Sequence, residues 1–526
     1  MVQFTVVNVI PQSHSNETNS DSEPSIGVNP ANPNQILIST FTPPDAGQTN
    51  GPLFVSQDGG GSWNLSFVVP GGGPLDQTYA FGGISGEFYG GDISGTSSPP
   101  ATVILNALST PNPFTPGTMA ILESPTPTDQ PFLVATTVRF GPDAGRDRFY
   151  IGYNDQRVGT TTGQTAAIDF CLDATAGAPV IGTVHLDTRA TADWSGYLGV
   201  PVWNQDGPQV RTAVHADGTI YATFNGLRTL HDNGDGTANT TSDIVVVRDD
   251  DWASGASPFT ALVDPNDHLA GYRVQTGVSL HWSPGAGTLG QERAFGTFSI
   301  ATHPGDSNIV YLVWAGLESG KQTIHVQRSL DRGASWSGDL LPGIPNATNA
   351  ALAISTAGRI GLIYQQLTGA APNDRWETHF KDSGNGTTWT DSIVCSTPAE
   401  TPPGGLPYLG DYLELMACGK TFYGTFCANN TPDPANFPAT PAGTSNPNGA
   451  IFGRNVGATA PWSLLGTDGT TVVPISIDPF FLKVEEVVAS SDFYVRDWTD
   501  APGVGDDGAE PSTHLDFWDA SDVWNQ

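Results

Sequence analysis

Acidic side chains stand at or just before several short runs of β-forming residues. Glu23 opens the run EPSIGVNPANPNQILISTF, Asp76 lies just before YAFGGISGEFYGGDI, and Asp411 with Tyr412 opens a third run, YLELMACGKTFYGTF. Two carboxylates about 5 Å or roughly 6.5–9.5 Å apart perform glycoside hydrolysis. Glu23 and Asp411 are therefore predicted as candidate catalytic residues. Tyr412 is added to them because it would form a tyrosine–carboxylate pair at the start of the same run. The alternative is that these carboxylates cap turns or bind a structural cation.

Positive charge occurs at comparable positions. Arg211 lies at the start of VRTAVHADGTIYATF, and Glu292 with Arg293 precedes FGTFSIATHPGDSNIVYLVW. Guanidinium groups bind carboxylates through paired hydrogen bonds. Arg211 and Arg293 are therefore predicted to hold an anionic sugar. With Asp76 and Glu292 they would form a site for a glycan or another small polar ligand. The alternative is that both arginines are structural partners of nearby acids.

The elements that would position these residues recur along the chain. Each unit joins a β-run, a turn with Gly, Asn or Pro, and a second β-run rich in aromatic residues. Seven such hairpins occur, at 23–41, 79–93, 134–154, 210–224, 295–314, 350–364 and 412–426. If each supplies the inner two strands of one blade, the chain is all-β and forms a seven-bladed β-propeller over residues 1–487. Residues 2–10 alternate like a strand and would close the ring by pairing with the last blade.

Two stretches share the pattern S-x-D-x-G-x-x-W. The first contains Ser56, Asp58, Gly60 and Trp63, and the second contains Ser329, Asp331, Gly333 and Trp336. In such a hairpin turn, Asp accepts hydrogen bonds from backbone N–H groups, Gly adopts a positive φ and Trp folds back as an apolar plug. Weaker echoes at 248–252, 382–389 and 455–462 have lost the central Asp or its spacing.

These two turns resemble the Asp-box (BNR repeat) of sialidase-like β-propellers. The resemblance implies a propeller fold, with six blades as the alternative because catalytic sialidases have six. It also implies a glycan-directed protein. Sialidases bind the substrate carboxylate with three arginines, one introduced by Arg-Ile-Pro, whereas this chain has no Arg-Ile-Pro and no arginine before Arg139. Carbohydrate binding is therefore expected rather than exo-sialidase activity. Whether the protein is an enzyme stays open; any activity would be glycoside hydrolase-like. The alternative is a non-catalytic interaction platform in a secreted or surface assembly.

Charge restricts the partners. The chain has 53 acidic and 20 basic residues and a formal net charge of -33. Binding to nucleic acid is disfavoured because the basic footprint it requires is missing. No run of about 18 apolar residues predicts a membrane span. An acidic, turn-rich chain of this kind is expected to be extracellular or at the cell surface, although residues 1–10 lack the basic start of a signal peptide.

No cofactor is required by any motif. The loop HDNGDGTANTTSD at 231–243 resembles the start of a calcium loop but lacks the Glu of an EF-hand, so a solvated turn is the simpler interpretation and structural calcium stays possible. The four cysteines fit no zinc pattern. Buried free thiols are expected, and one disulfide involving Cys418 or Cys427 is the alternative. The acidic, aromatic tail at 488–526 is expected to pack on the propeller or on a protein partner.

Overall fold

The computed structural model describes residues 2–72, 75–95, 103–124, 128–155, 166–186, 209–235, 237–282, 289, 297–399, 409–440 and 451–486. The strands of these residues form seven four-stranded sheets. Six of the sheets are built from consecutive antiparallel strands, as the hairpin repeats predict. Each sheet is one blade of a β-propeller.

The first three blades cover the first third of the chain. Blade 1 consists of β2 (Ser25–Val28), β3 (Ile36–Ser39), β4 (Gly51–Ser56) and β5 (Asn64–Val69). Blade 2 consists of β6 (Gln77–Phe81), β7 (Phe88–Gly95), β8 (Val103–Thr110) and β9 (Ala120–Glu123). Blade 3 consists of β10 (Thr128–Thr137), β11 (Asp147–Asp155), β12 (Ala166–Cys171) and β13 (Ile181–His185).

Blades 4 to 6 follow the same order. Blade 4 consists of β14 (Arg211–Val214), β15 (Ile220–Asp232), β16 (Ala238–Asp249) and β17 (Tyr272–Trp282). Blade 5 consists of β18 (Phe298–His303), β19 (Asp306–Glu318), β20 (Lys321–Ser329) and β21 (Ile344–Pro345). Blade 6 consists of β22 (Ala347–Ile354), β23 (Ile360–Thr368), β24 (Arg375–Ser383) and β25 (Thr390–Pro398).

Blade 7 closes the ring. It contains β26 (Glu414–Cys418), β27 (Thr421–Asn429) and β28 (Ile477–Glu486), and its outermost strand is β1 (Val2–Asn8) from the start of the chain. The innermost strands contact one another in sequence, and β26 contacts β2. The predictions of seven blades and of ring closure by the first strand are therefore confirmed, and the six-bladed alternative is wrong. The 3₁₀ turns Gln12–His14 and Pro434–Asn436 lie between strands.

The core lies between neighbouring blades. Between blades 5 and 6, Tyr311, Val313 and Val326 pack against Leu352 and Leu362. Each blade therefore buries its two faces against the blades beside it. A propeller requires this packing because a single isolated sheet would expose both faces to water.

Side-chain hydrogen bonds also join neighbouring innermost strands. The Ser25 hydroxyl accepts a hydrogen bond from the Tyr79 N–H at 3.0 Å, and the Thr78 hydroxyl accepts one from the Leu133 N–H at 2.9 Å. Ser299 accepts a similar bond from the Leu352 N–H at 2.9 Å. Edge N–H groups of the innermost strands are thereby satisfied by the preceding blade.

Both S-x-D-x-G-x-x-W stretches form the predicted turns between the third and fourth strands of blades 1 and 5. Asp58 accepts a hydrogen bond from the Ser62 N–H at 2.9 Å, and Gly60 has a φ of 93°. Trp63 folds back and donates to the Gly60 carbonyl at 3.1 Å.

The second turn repeats this geometry. Asp331 accepts from the Ser335 N–H at 2.9 Å, Gly333 has a φ of 82°, and Trp336 donates to the Gly333 carbonyl at 3.2 Å. A shorter version occurs in blade 6, where Asn385 takes the place of Asp and accepts from the Thr388 N–H at 2.8 Å.

The remaining structural expectations have mixed outcomes. Cys171, Cys395, Cys418 and Cys427 are free, as expected. Residues Phe4–Glu485 form one compact unit, while the predicted tail at 488–526 lies outside the described residues. No helix of the described part is long and apolar enough to cross a membrane.

Candidate functional site

The innermost strands surround a central cavity of about 340 Å³. Every blade contributes to its wall, through Ile26, Tyr79, Phe132, Arg211, Phe298, Ala350 and Tyr412 among others. Among the described candidate residues, Arg211 and Tyr412 line this cavity. Glu23, Asp76 and Asp411 stand next to the starts of the innermost strands, at the same end of the blades. We call this end the channel mouth.

Glu23 and Asp411 meet at the channel mouth because blades 1 and 7 are neighbours. The Asp411 N–H donates to Glu23 Oε1 at 3.2 Å. Standard bond lengths then keep the two carboxyl carbons within roughly 9 Å of each other. Both residues are buried, at 0% and 1% exposure. The cause is the close approach of Gly410, where an added Cβ would lie 2.4 Å from Glu23 Cγ.

Tyr412 and Arg211 form the centre of the mouth. The Tyr412 hydroxyl accepts a hydrogen bond from the Gln77 N–H at 3.1 Å. The Arg211 guanidinium lies 4.9 Å from the Phe132 ring and 5.7 Å from the Tyr412 ring, both as cation–π contacts. The structure thus brings together residues of blades 2, 3, 4 and 7.

The protonation states of this pair follow from burial. Burial, and then the negative charges of Asp76 and Glu23, raises the pKa of Tyr412 well above its ordinary value. Tyr412 therefore keeps its proton, and a nucleophilic role would require a base to remove it. Burial lowers the pKa of Arg211, against the opposing effect of acidic neighbours that include Glu414 and Asp76, and a guanidinium stays charged in either case.

Two further carboxyl groups were not placed in the predicted site. Asp92 lies opposite Gln77 on β7, and burial, followed by the charge of Asp76, raises its pKa well above the ordinary value. Glu414 accepts hydrogen bonds from the Ser25 hydroxyl at 3.0 Å and the Ile26 N–H at 2.9 Å. Burial raises the pKa of Glu414 to about 7, although these hydrogen bonds oppose the rise.

Glutamine side chains are buried at the mouth without hydrogen bonds. Gln77, Gln130 and Gln209 belong to blades 2, 3 and 4 and are 0%, 1% and 0% exposed. Neither the amide oxygen nor the amide nitrogen of any of the three makes a hydrogen bond. Nη1 of Arg211 and both side-chain polar atoms of Asn225 on β15 are also without a partner. Each such group costs about 1–3 kcal/mol unless water or a ligand bonds to it.

On blade 6 the side-chain amides near the mouth are hydrogen-bonded to protein atoms. Asn349 of blade 6 donates to Gln365 Oε1 at 3.2 Å and to the Gly410 carbonyl at 3.1 Å. Gln365 donates to the Cys427 carbonyl at 2.8 Å. The unsatisfied side-chain amides at the mouth therefore belong to blades 2 to 4.

The backbone enters the channel in an uncommon conformation. Glu23, Gln130 and Asn349 have φ values of 55°, 51° and 53°. Side chains other than glycine rarely adopt this left-handed region, and such strain concentrates at functional sites. Gln130 and Asn349 lie within the innermost strands of blades 3 and 6, and Glu23 lies two residues before the innermost strand of blade 1.

Sequence reasoning placed the third hairpin at 134–154, whereas β10 begins at Thr128, and so it missed Asp129, Gln130 and Phe132. A weak signal was present, because the dipeptide Asp-Gln occurs before a β-run at 76–77 and at 129–130, although its third copy, at 155–156, begins at the last residue of β11. Gln209 was missed although it directly precedes the predicted fourth hairpin. Glu292 and Arg293 lie outside the described residues.

No group of three or more His, Cys, Asp or Glu side chains in the described ranges is arranged to hold a metal ion. Of the predicted loop at 231–243, residues 231–232 end β15 and residues 238–243 begin β16, so only a short turn joins the two strands. In that turn Asp235 accepts a hydrogen bond from the Thr237 N–H at 2.9 Å. This is the geometry of a turn. Structural calcium stays an untested expectation.

No family model matches the chain, and no curated protein matches it. Among solved structures, an ulvan lyase of polysaccharide lyase family PL25 is 10% identical, with a TM-score of 0.46 over 78% of this chain and 92% of that one. The GH93 α-L-arabinofuranosidase of Fusarium graminearum with arabinobiose is 10% identical, with a TM-score of 0.37 over 69% and 92%. The Trypanosoma rangeli sialidase is 12% identical, with a TM-score of 0.32 over 82% and 58%. The seven blades follow from the chain's own sheets, and the likeness to these proteins extends to the fold alone. The substrates of these enzymes are properties of those proteins.

Proposed function

We propose that the channel mouth binds a carbohydrate and that the protein is a glycan-binding propeller rather than an exo-sialidase. The observation that supports this most is the set of buried amides at Gln77, Gln130 and Gln209, none of which is hydrogen-bonded. A folded protein retains such groups at a cost in stability when a ligand uses them.

The chemistry of the mouth matches a sugar. Each sugar hydroxyl is both donor and acceptor, and amide side chains beside carboxylates offer both partners in a small volume. Phe132 and Tyr412 add aromatic rings to the wall of the cavity. Concave sites with apolar walls and a few converging polar groups are the usual form of small-ligand sites.

The charge at the mouth favours a neutral sugar. Arg211 is the one arginine among the described residues that line the cavity, and Glu414, Asp76 and Asp411 already act on it electrostatically. A carboxylate ligand would approach those same acidic groups, and like-charge contacts oppose binding. An extracellular location is also part of the proposal, because the glycans that such a site would bind are met outside the cell.

The test replaces an unsatisfied amide by an apolar side chain of similar size. Gln77→Leu should raise stability by about 1–2 kcal/mol, because the buried amide no longer lacks partners, and should abolish binding on an array of neutral and acidic glycans. Gln327→Leu on β20 is the matched control, since its buried amide donates to the Ser337 carbonyl at 3.0 Å and lies outside the channel mouth. It should lower stability and leave glycan binding in place.

Two results would contradict the proposal. One is an array on which the unaltered protein binds no glycan, which would favour the interaction platform instead. The other is unchanged glycan binding by Gln77→Leu, which would place the ligand elsewhere.

Hydrolysis is the second candidate, supported by the contact between Glu23 and Asp411. These side chains would then act as acid and base, while Tyr412 would only orient the ligand. Glu23→Gln and Asp411→Asn should each abolish release of reducing sugar from a bound glycan without abolishing binding. Release that survives both substitutions would remove this candidate.

A further inference from the structure

A second cavity, of about 350 Å³, lies at the other end of the blades from the channel mouth. Strand β10 begins at the mouth and ends at Thr137, and the cavity is formed by the segment that follows it, by the β12–β13 turn and by the β16–β17 loop. Phe140, Arg146, Arg148 and Trp252 are among its lining residues. No residue of the channel mouth takes part in it.

Trp252 is held in this cavity by its surroundings. It has a φ of 57°, which is a genuine outlier for a bulky side chain. Its N–H donates to the Gly218 carbonyl at 2.9 Å, and its carbonyl accepts from the Tyr150 hydroxyl at 3.0 Å. A Cβ on Gly218 would lie 2.4 Å from Trp252 Nε1, so the ring needs a glycine there. The indole therefore has a fixed position.

Arg148 lies over the fixed indole. Its guanidinium is 4.8 Å from the Trp252 ring centre, and Nη2 donates to Asp143 Oδ2 at 2.6 Å. The residue is 4% exposed, the Tyr150 hydroxyl lies beside its guanidinium, and Nε and Nη1 make no hydrogen bond of good geometry. Buried guanidinium donors without acceptors are costly. A group that enters the cavity and accepts hydrogen bonds would remove that cost.

The rest of the cavity determines the class of ligand. Phe140 is 79% exposed, so its ring is available for stacking. Arg146 is paired with Asp143 at 2.9 Å and with Asp173 at 3.3 Å, and Asp251 also lines the cavity. Three carboxylates thus oppose two guanidinium groups, which disfavours an anion. Flat apolar sugar faces stack on aromatic rings, and sugar hydroxyls bond to carboxylates and guanidinium groups.

We propose that this cavity is a second carbohydrate site, which takes one neutral sugar ring between Phe140 and the Trp252–Arg148 pair. The ring stacks on Phe140, and its oxygens accept hydrogen bonds from Nε and Nη1 of Arg148. The site goes beyond the channel-mouth proposal and does not depend on it. With both sites, one chain would contact glycans at both ends of the propeller.

The test uses saturation-transfer NMR of the full chain with D-glucose, D-galactose, D-mannose and D-xylose as probes. At least one sugar should receive saturation from the protein. Phe140→Ala should weaken its binding roughly tenfold, since one stacking contact is lost. Leu330→Ala is the control, because Leu330 is 58% exposed in the turn after β20, at the same end of the propeller but outside the cavity. It should leave the signals unchanged.

The channel-mouth variant separates the two proposals. Gln77→Leu should leave the Phe140-dependent signal in place, even if it removes glycan binding at the mouth. The second site is overturned if no sugar receives saturation, if the signal is the same in Phe140→Ala, or if it is lost in Gln77→Leu alone. It is also overturned if inorganic phosphate competes with the sugar, since the cavity would then select anions.

Discussion

Glu414 links the last blade to the first, because its carboxylate accepts hydrogen bonds from Ser25 and Ile26. Burial raises its pKa from 4.5 to about 7. Between these values the folded chain keeps a proton that the unfolded chain releases, so this group makes the folded state less stable as pH rises through that window. The same burial that joins two blades therefore has an electrostatic cost at neutral pH.

Glu414→Gln should remove this cost. Its carbonyl can still accept both hydrogen bonds, while the side chain no longer ionises. The variant should match the parent protein at about pH 4 and exceed its free energy of unfolding by roughly 1–3 kcal/mol at about pH 8. Urea unfolding at both pH values measures the difference. An equal difference at the two pH values would contradict the assigned cause.

At the scale of single residues, the sequence predicted which residues lie at the mouth but not how they contact one another. Glu23, Asp76, Arg211, Asp411 and Tyr412 could be selected because a propeller places the starts of its inner strands around one channel. The contacts that these residues make with one another could not be predicted from the sequence. The hydrogen bond from the Gln77 N–H to Tyr412 joins positions 335 apart in the chain, and it exists only because the ring closes. Burial of the carboxyl groups has the same origin.

At the scale of elements, the sequence predicted those turns correctly whose hydrogen bonds all lie within the turn itself. The turns at 56–63 and 329–336 form because Asp, Gly and Trp satisfy the turn within eight residues. The start of β10 was misplaced because Pro131 interrupts the β-run, and the register of β10 on β11 shifts between Asp129 and Phe132. A bulge of this kind depends on the partner strand, which the sequence of β10 does not contain.

The first of these turns also has a tertiary role, which a glycine substitution can test. A Cβ on Gly60 would lie 2.1 Å from Phe481 of blade 7, whereas a Cβ on Gly47 would have no atom within 4 Å. Both glycines have positive φ, at 93° and 90°. Gly47→Ala should cost about 1 kcal/mol from backbone strain alone.

Gly60→Ala should cost at least about 2 kcal/mol more than Gly47→Ala, because the methyl group also displaces the Phe481 ring. Thermal unfolding of the two variants side by side measures the excess. Equal losses for the two variants would show that the turn does not support the contact between blades 1 and 7.

At the scale of the whole molecule, ring closure rests on a buried ion pair as well as on β1. Arg454 and Asp478 are both fully buried, and Arg454 Nη1 lies 2.7 Å from Asp478 Oδ2. Asn8 of β1 and Asn430 each donate to Asp478 at 2.7 Å. The carboxylate therefore connects the first strand, the last strand and the segment between β27 and β28.

Asp478→Asn should destabilise the protein by about 3–5 kcal/mol, because it leaves the Arg454 guanidinium buried without a counter-charge. Adding Arg454→Met should recover part of that loss, since the uncompensated charge is then gone. Glu485→Gln is the control, because Glu485 pairs with Lys483 at 2.9 Å but is 41% exposed, and exposed pairs contribute roughly 0–1 kcal/mol. Urea unfolding followed by tryptophan fluorescence measures all three. Arg454 Nη2 also donates to the Ser15 carbonyl at 2.8 Å and to the Glu17 carbonyl. If the double variant is less stable than Asp478→Asn alone, the loss of these hydrogen bonds outweighs the removal of the uncompensated charge, and the ion pair is then not what closes the ring.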